Sequence, residues 1–246
     1  FLSIFSSNLD EFFEIRVAGI KQQIASGTAE ATPDGLSPTE IFDGIQKQTH
    51  QLVANQYKLW KEEIVPELAR NGITIHRFDS LPPERQEWAR HYFRNEVYPI
   101  LTPLAVDASH PFPQVLNKSH NLLIRARREG DDEPLYAIVQ VPRVIQRLIV
   151  FPRDKDESAP WEYLFLSDLI KSQIHELFPG LILEGVHAFR VTRNSDLYID
   201  DEEAENLLRT IEQELRRHNR GNAVRLEVKA DCPEDFRAFL LERFNL

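Results

Sequence analysis

The sequence contains no methionine and a single cysteine, Cys232. One cysteine cannot form an intramolecular disulfide, and it excludes a zinc site built from several thiolates. No apolar run approaches the roughly 20 residues that a membrane-spanning helix needs. The sequence therefore predicts a protein of a reducing, cytoplasmic setting with no transmembrane segment.

Positive charge is also scarce. Lysine and arginine number 29 against 39 aspartates and glutamates, which gives a formal net charge of −10. Because proteins that coat nucleic acid rely on an excess of basic residues, nucleic acid is not expected as the main partner. The 246 residues, 42% of them hydrophobic, are typical of a globular protein with one large or two medium domains.

Complete catalytic signatures are missing as well. We find no Walker loop, no Gly-x-Gly-x-x-Gly, no His-Glu-x-x-His and no Gly-x-Ser-x-Gly. The eight histidines do not fall at metal-ligand spacings, so no metal site is predicted. His110, in the segment His-Pro-Phe-Pro, is held by prolines; a packing role in a rigid turn is favoured over that of a positioned acid or base.

The first stretch, Phe1–Gln23, has the pattern of a helix that is buried on most sides. At 100° per residue its acids, among them Asp10 and Glu14, share one narrow arc, and apolar side chains cover most of the remaining surface. Asn8 and Arg16 interrupt the apolar part. Because a buried amide or guanidinium needs a partner, the pattern alone favours a satisfied core Asn8 and a structural Arg16 in a core ion pair.

A second helix is predicted after a loop that contains glycine and proline. Ser37, Pro38 and Glu40 form a capped helix start of the Ser-x-x-Glu kind, and Pro66 should bend the last turns. The two helices predict an antiparallel hairpin, which we assign to an N-terminal helical domain of residues 1–72. Neither end of the chain carries a helix cap or stop, so we expect the sequence to be cut from a longer protein.

The hydrophobic period changes at residue 73 to the alternation that is typical of strands. Strands are predicted at ITIHR, NLLIRARR, LYAIVQVP, RLIVFPR, EYLFL, HAFRVTR and AVRLEVKA. Helices are expected after Pro82, from Ser167 to Phe178, from Asp200 to Arg217 and after Pro233, while the prolines of residues 101–117 predict a connection without regular structure. The predicted fold is multi-domain, α and α+β: the helical domain precedes an α+β domain of residues 73–246 with a mainly antiparallel sheet.

Arginines cluster in this strand-rich part. They are Arg125, Arg127, Arg128, Arg143, Arg147, Arg153, Arg190 and Arg193. For most of them, alternation with residues such as Ile124 and Ala126 indicates the solvated face of an antiparallel sheet. Arg193 differs because turn-forming residues follow it, and loops carry function more often than strands do. Arg193 and its neighbour Arg190 are therefore candidates for contact with an anionic polymer or a partner.

Three segments taken together suggest a family. FSSNLDEFFEIRVAG, LTPLAVDASHPFPQVLNKSHNL and FRVTRNSDLYIDDEE, in this order, resemble the large four-domain bacterial polyphosphate kinases, and the resemblance covers the whole chain. It implies reversible transfer of the γ-phosphate of ATP to polyphosphate through a phosphohistidine, with ADP as the other product and with Mg²⁺. The phosphohistidine and the Mg²⁺ site would belong to two further domains, so no catalytic residue is assigned here, and these 246 residues alone are expected to be inactive.

The resemblance also gives roles to the two domains. The family's N-terminal domain covers the nucleotide pocket, and an Asn of its Ser-Asn-Asn-Leu-Asp-Glu-Phe motif approaches ATP. Ser7 stands here in place of the first Asn, so the contact is carried over for Asn8 only. The head domain, here residues 73–246, is implied to form a homodimer and to help line the polyphosphate tunnel, with Arg190 and Arg193 as candidate contacts. The whole enzyme would be cytoplasmic or peripheral to the membrane.

Two alternatives from other classes stay open at this point. A stand-alone interaction module could bind an acidic protein or RNA through the arginine-bearing sheet. A metal-dependent hydrolase has no ligand cluster to support it. The downstream reading frame distinguishes the first alternative from the kinase, because only the kinase requires several hundred further residues with a phosphoacceptor histidine.

Overall fold

The computed structural model describes residues 1–27, 35–106, 112–153, 159–194 and 221–246. His110 and the helix predicted over Asp200–Arg217 lie outside these ranges. The helices are α1 Leu2–Glu11, α2 Ala18–Ser26, α3 Pro38–Leu59, α4 Val65–Arg70, α5 Pro83–Tyr92, α6 Leu166–Ser172 and α7 Glu234–Phe244. The strands are β1 Ile73–His76, β2 Pro103–Val106, β3 His120–Arg128, β4 Leu135–Gln140, β5 Leu148–Val150, β6 Trp161–Phe165, β7 Leu181–Arg193 and β8 Ala223–Val228.

Contacts between Cα atoms divide the chain into two compact units. The first unit consists of Phe1–Gln56, Gln114–Ser119 and Phe189–Leu246, and the second of Tyr57–Pro113 and His120–Ala188. Each unit contains residues from both predicted domains. The division at residue 72 stays a prediction.

The predicted fold class is confirmed, since long helices precede an α+β region with mainly antiparallel strands. In the second unit β2, β4 and β3 pair in that order, all antiparallel, and the beginning of β7 follows β3. A separate three-stranded sheet has the order β1-β6-β5, in which only the β1–β6 pair is parallel. In the first unit the end of β7, from Phe189 to Arg193, pairs antiparallel with β8.

The second predicted helix begins and ends as its sequence signals indicate. The backbone N–H of Ser37 donates to Glu40 Oε2 over 2.8 Å and the N–H of Glu40 donates to Ser37 Oγ over 3.3 Å, which is the predicted capping box. A π-helical turn at Trp60–Ile64 interrupts the helix just before Pro66, whose ring cannot donate a backbone hydrogen bond. Although α3 has 22 residues, no helix in the described ranges is apolar enough over a sufficient length to cross a lipid bilayer.

Two predicted elements differ in the structure. Strand β2 lies in the stretch that was expected to lack regular structure; Pro103 is its first residue, where a missing N–H is tolerated. The helix expected to run from Ser167 to Phe178 ends at Ser172 and continues as a 3₁₀ turn over Ile174–Leu177. Asp168 does not cap this helix, because its carboxylate accepts the backbone N–H of Phe78 over 2.7 Å.

Candidate functional site

The first helix leaves one of its apolar faces exposed. No residue of α1 is buried. Ile4, Phe12 and Ile15 share one helical face and are 58%, 37% and 39% exposed, respectively. The prediction of a helix that is buried on most sides is therefore wrong. The side that packs against β8 carries Glu14 together with Phe13 and Val17, so the fold covers one apolar arc of the wheel and leaves another in solvent.

Asn8 lies in the middle of this exposed apolar face. Residues 4, 8, 12 and 15 follow one another at intervals of three or four, so their side chains line one side of the helix. We call these four residues the Asn8 face. Asn8 is exposed and not a satisfied core residue. Its amide can accept and donate hydrogen bonds to a molecule that binds this face.

Arg16 is exposed too. It belongs to the π-helical turn Phe12–Val17, of which Phe13, Glu14 and Val17 are the buried members. The prediction of Arg16 in a core ion pair is therefore wrong. On the helical wheel Arg16 has apolar neighbours, but its side of the helix is exposed to solvent in the fold.

Asp10 lies on the opposite, sheet-facing side of α1 and closes a cycle of four charged residues. Arg190 donates to both carboxylate oxygens of Asp10, with Nη1 at 2.9 Å from Oδ1, and it also contacts Glu227. Arg225 completes the cycle, with Nη2 at 3.1 Å from Glu227 Oε1 and Nη1 at 3.8 Å from Asp10 Oδ1. We call Asp10, Arg190, Glu227 and Arg225 the ion cycle.

Strand register builds the ion cycle on the sheet side. Arg190 and Glu227 are Cα partners in the β7–β8 pair, and Arg225 is two residues from Glu227 on the same face. Burial favours the neutral form of Arg190, yet the carboxylates of Asp10 and Glu227 outweigh it and raise the pKa of Arg190 above its ordinary value. The predicted candidate Arg190 is thus engaged inside the first unit. Its contact with polyphosphate stays a prediction.

A second anchor lies one helical turn further along. Glu14 is buried, and its carboxylate accepts Asn117 Nδ2 over 2.6 Å and Lys118 Nζ over 3.0 Å. Phe13, Val17 and Ala18 pack beside it against Val224 of β8. Sequence reasoning placed Asp10 and Glu14 on one arc without finding these partners. The available signal was the spacing of four residues, which puts both acids on one side of the helix.

Arg193, the other predicted contact, is only 8% exposed. Its Nη1 donates to the carbonyl oxygen of Gly221 over 2.8 Å and its Nε to that of Val115 over 3.3 Å, while the guanidinium carbon lies 5.7 Å from the ring centre of Phe244. Burial lowers the pKa of this guanidinium. Arg193 therefore bridges two backbone segments, and its contact with a polymer or a partner stays a prediction.

The arginines of β3 are also engaged by an acid. In the second unit, Nε of Arg125 and Nε of Arg127 lie 3.2 Å and 3.3 Å from the carboxylate of Glu184. The predicted alternation is confirmed, because Ile124, which precedes Arg125, and Ala126, which lies between the two arginines, are buried. A carboxylate this close reduces the positive potential that an acidic protein or RNA would meet on this sheet.

Mg²⁺ needs a cluster of oxygen ligands such as carboxylates. Within the described ranges, His, Cys, Asp and Glu form no group of three or more that could hold a metal ion. The carboxylates of the ion cycle face guanidinium groups, which compete with a cation for the same oxygens. These carboxylates therefore do not fit a Mg²⁺ site.

Comparison with known proteins gives two family models and a set of relatives. The model for the polyphosphate kinase N-terminal domain matches residues 1–76, and the model for the polyphosphate kinase middle domain matches residues 84–246. The polyphosphate kinase of Pseudomonas aeruginosa is 41% identical over 249 residues, which is 100% of this chain and 36% of that protein. The polyphosphate kinase of Burkholderia multivorans is 40% identical over 250 residues, again 100% of this chain and 36% of the relative.

A solved structure shares the fold. The crystal structure of polyphosphate kinase from Porphyromonas gingivalis superposes with a TM-score of 0.77 at 23% identity, covering 100% of this chain and 33% of that one. This likeness supports the fold alone. The chain spans about a third of the length of the relatives that it matches.

Proposed function

The chain belongs to the polyphosphate kinase family, and on this premise we propose that it forms the nucleotide-pocket lid and a dimer and tunnel surface of such an enzyme. The complete enzyme would transfer the γ-phosphate of ATP reversibly to polyphosphate through a phosphohistidine. That histidine and the Mg²⁺ ligands would belong to further domains, which correspond to the parts of the relatives that this chain does not match. The chain's own contribution would be binding and exclusion of water.

The observation that carries the proposal is the exposed Asn8 at the centre of an apolar helix face. A purine ring has two apolar faces and an edge of hydrogen-bonding atoms, so it is suited to a surface that offers Phe or Ile side chains around one amide. An amide in this position can hydrogen-bond to the base or to a ribose hydroxyl. It takes no part in bond breaking.

Substitution of Asn8 tests this role in the full-length enzyme. We expect Asn8→Ala to raise the KM for ATP about 2- to 12-fold, the equivalent of one lost hydrogen bond, with kcat little changed. Folding should not suffer, because Asn8 is exposed and alanine has the higher helix propensity, by up to about 0.7 kcal/mol. The measurement is ATP-dependent polyphosphate synthesis against ATP concentration, together with the melting temperature Tm.

Ser7→Ala is the matched control, since Ser7 is exposed on the same helix and no nucleotide contact is assigned to it. It should leave both KM and Tm unchanged. The 246 residues alone should give no synthesis. An unchanged KM in Asn8→Ala, or a large fall in Tm, would contradict the proposed contact.

The homodimer and the polyphosphate tunnel are further parts of the proposal. Both come from the family resemblance and concern residues 73–246. Sedimentation of the chain at tens of micromolar distinguishes a dimer made by these residues from one that needs the rest of the enzyme. The alternative of an arginine-bearing interaction module receives no support from the described sheet, where Glu184 lies beside both Arg125 and Arg127.

A further inference from the structure

The Asn8 side chain and the ion cycle lie on opposite sides of one short helix. Asn8 and Asp10 are two residues apart, which corresponds to a rotation of roughly 200° about the helix axis. Arg190, on strand β7, donates to both carboxylate oxygens of Asp10, so the Asp10 side of the helix faces the sheet. Asn8, on the opposite side, therefore projects away from the sheet. Any rotation of the helix that breaks the two-oxygen contact also redirects Asn8.

We infer that the ion cycle is a positioning device for nucleotide binding, in which Asp10 and Arg190 set the axial rotation of α1 and thereby the direction of Asn8. This inference rests on the proposed function. Its residues are positioning residues, because Asp10 and Arg190 contact each other and their inferred effect on the nucleotide passes through Asn8. The described contacts assign them no part in the chemistry.

The geometry of the cycle suits orientation better than simple attachment. A two-oxygen contact between a planar guanidinium and a carboxylate fixes direction as well as distance. Arg190 is itself fixed by Glu227 across the strand pair, and Arg225 lies with its guanidinium carbon 4.9 Å from the ring centre of Phe13. Apolar contacts of Phe13 and Val17 with the sheet supply attachment but no comparable directional constraint.

A double-mutant cycle in the full-length enzyme tests the inference. We expect Asp10→Asn, which keeps the shape and loses the charge, to raise the KM for ATP about three- to tenfold with kcat little changed. In the Asn8→Ala background the same substitution should change KM by less than about twofold, since the contact that it positions is already gone. The loss of Tm should be equal in the two backgrounds.

Glu162→Gln provides a matched control in the second unit. The Glu162 side chain is 21% exposed, close to the 15% of Asp10, and it pairs with Arg85 at 2.7 Å and His76 at 2.9 Å. This substitution should lower Tm without raising the KM for ATP. If Asp10→Asn does not fold, Arg190→Lys is used in the same cycle, because lysine keeps the charge and loses the two-oxygen geometry.

The outcomes separate this inference from the proposed function. If Asn8→Ala raises KM but Asp10→Asn does not, or if Asp10→Asn raises KM equally in both backgrounds, the positioning role is refuted and the nucleotide contact stands. If Asn8→Ala leaves KM unchanged, the nucleotide contact is refuted and the positioning role with it.

Discussion

Replacement of Arg193 separates a structural arginine from a polymer contact. The side chain is almost completely buried and donates to the carbonyl oxygens of Gly221 and Val115. Arg193→Ala would leave both carbonyls without this donor and would remove the guanidinium from the ring of Phe244. Each of these losses acts on the folded state of the first unit.

The expected cost can be worked from these contacts. A hydrogen bond to a charged group contributes about 1.5–3 kcal/mol, and the bond of 3.3 Å to Val115 belongs at or below the lower end. The contact with Phe244 adds about 0.5–1 kcal/mol, while removal of a buried charge returns part of its desolvation cost. We expect a net loss of about 2–4 kcal/mol, which lowers Tm by about 5–15 °C in a chain of this size.

Thermal unfolding and amide hydrogen exchange of residues 114–119 and 189–193 measure this loss. Arg193→Lys should recover little of it, because an ammonium group cannot reproduce the fork that spans two carbonyls. A polyphosphate contact would behave oppositely, since lysine binds phosphate well as a point charge. Arg16→Ala, at an exposed arginine, should change stability by less than about 0.5 kcal/mol. An Arg193→Ala protein with normal Tm and weakened polyphosphate binding would refute the structural role.

Two further predictions concern carboxylates at helix ends and turns. Glu14→Gln should lower the protection of the Phe12–Val17 amides from exchange by about 1–2 kcal/mol, because a glutamine side chain accepts hydrogen bonds from Lys118 and Asn117 less strongly than a carboxylate does. Glu11→Gln, at an exposed glutamate, should leave the protection unchanged. Equal protection in the two variants would contradict the anchoring role of Glu14. The hydrogen bonds from the backbone N–H and then from the hydroxyl of Ser37 lower the pKa of Glu40 in the folded state. The start of α3 is therefore stabilised at pH values above the ordinary glutamate pKa of 4.5, and this contribution is lost as the pH falls through the lowered pKa of the folded state. Exchange of the first-turn amides of α3 against pH measures it. Glu40→Gln should abolish this dependence, whereas Ser37→Ala, which keeps the backbone N–H, should only weaken it.

Local signals in the sequence predicted most of the elements. Alternation located β3 and β4, and the capping residues Ser37 and Glu40 located the start of α3, because each signal lies within the element that it specifies. The orientation of α1 could not be obtained in this way. It depends on Asp10 meeting Arg190, which lies 180 residues later in the chain, and a helical wheel contains no information about such a partner.

The candidate site shows the same division. The resemblance to the family motif points to Asn8, whereas the exposed apolar side chains around Asn8 can be recognised only from the fold. The turn-forming residues after Arg193 predict a functional role for it, whereas its observed contacts are the carbonyls of Val115 and Gly221, on segments that no sequence pattern links to it. Position next to a loop is a statistical guide to function, and it contains no information about long-range hydrogen-bond partners.

The closed ion cycle has a consequence for how the first helix responds to salt. It contains two carboxylates and two guanidinium groups, so the net charge that it presents is zero, and its Asp10 and Arg225 side chains are only 15% and 11% exposed. Mobile ions screen partly buried pairs much less than exposed ones, whereas binding of a long polyanion weakens steeply as ionic strength rises. Salt that releases a polyphosphate chain would therefore leave α1 attached to its sheet.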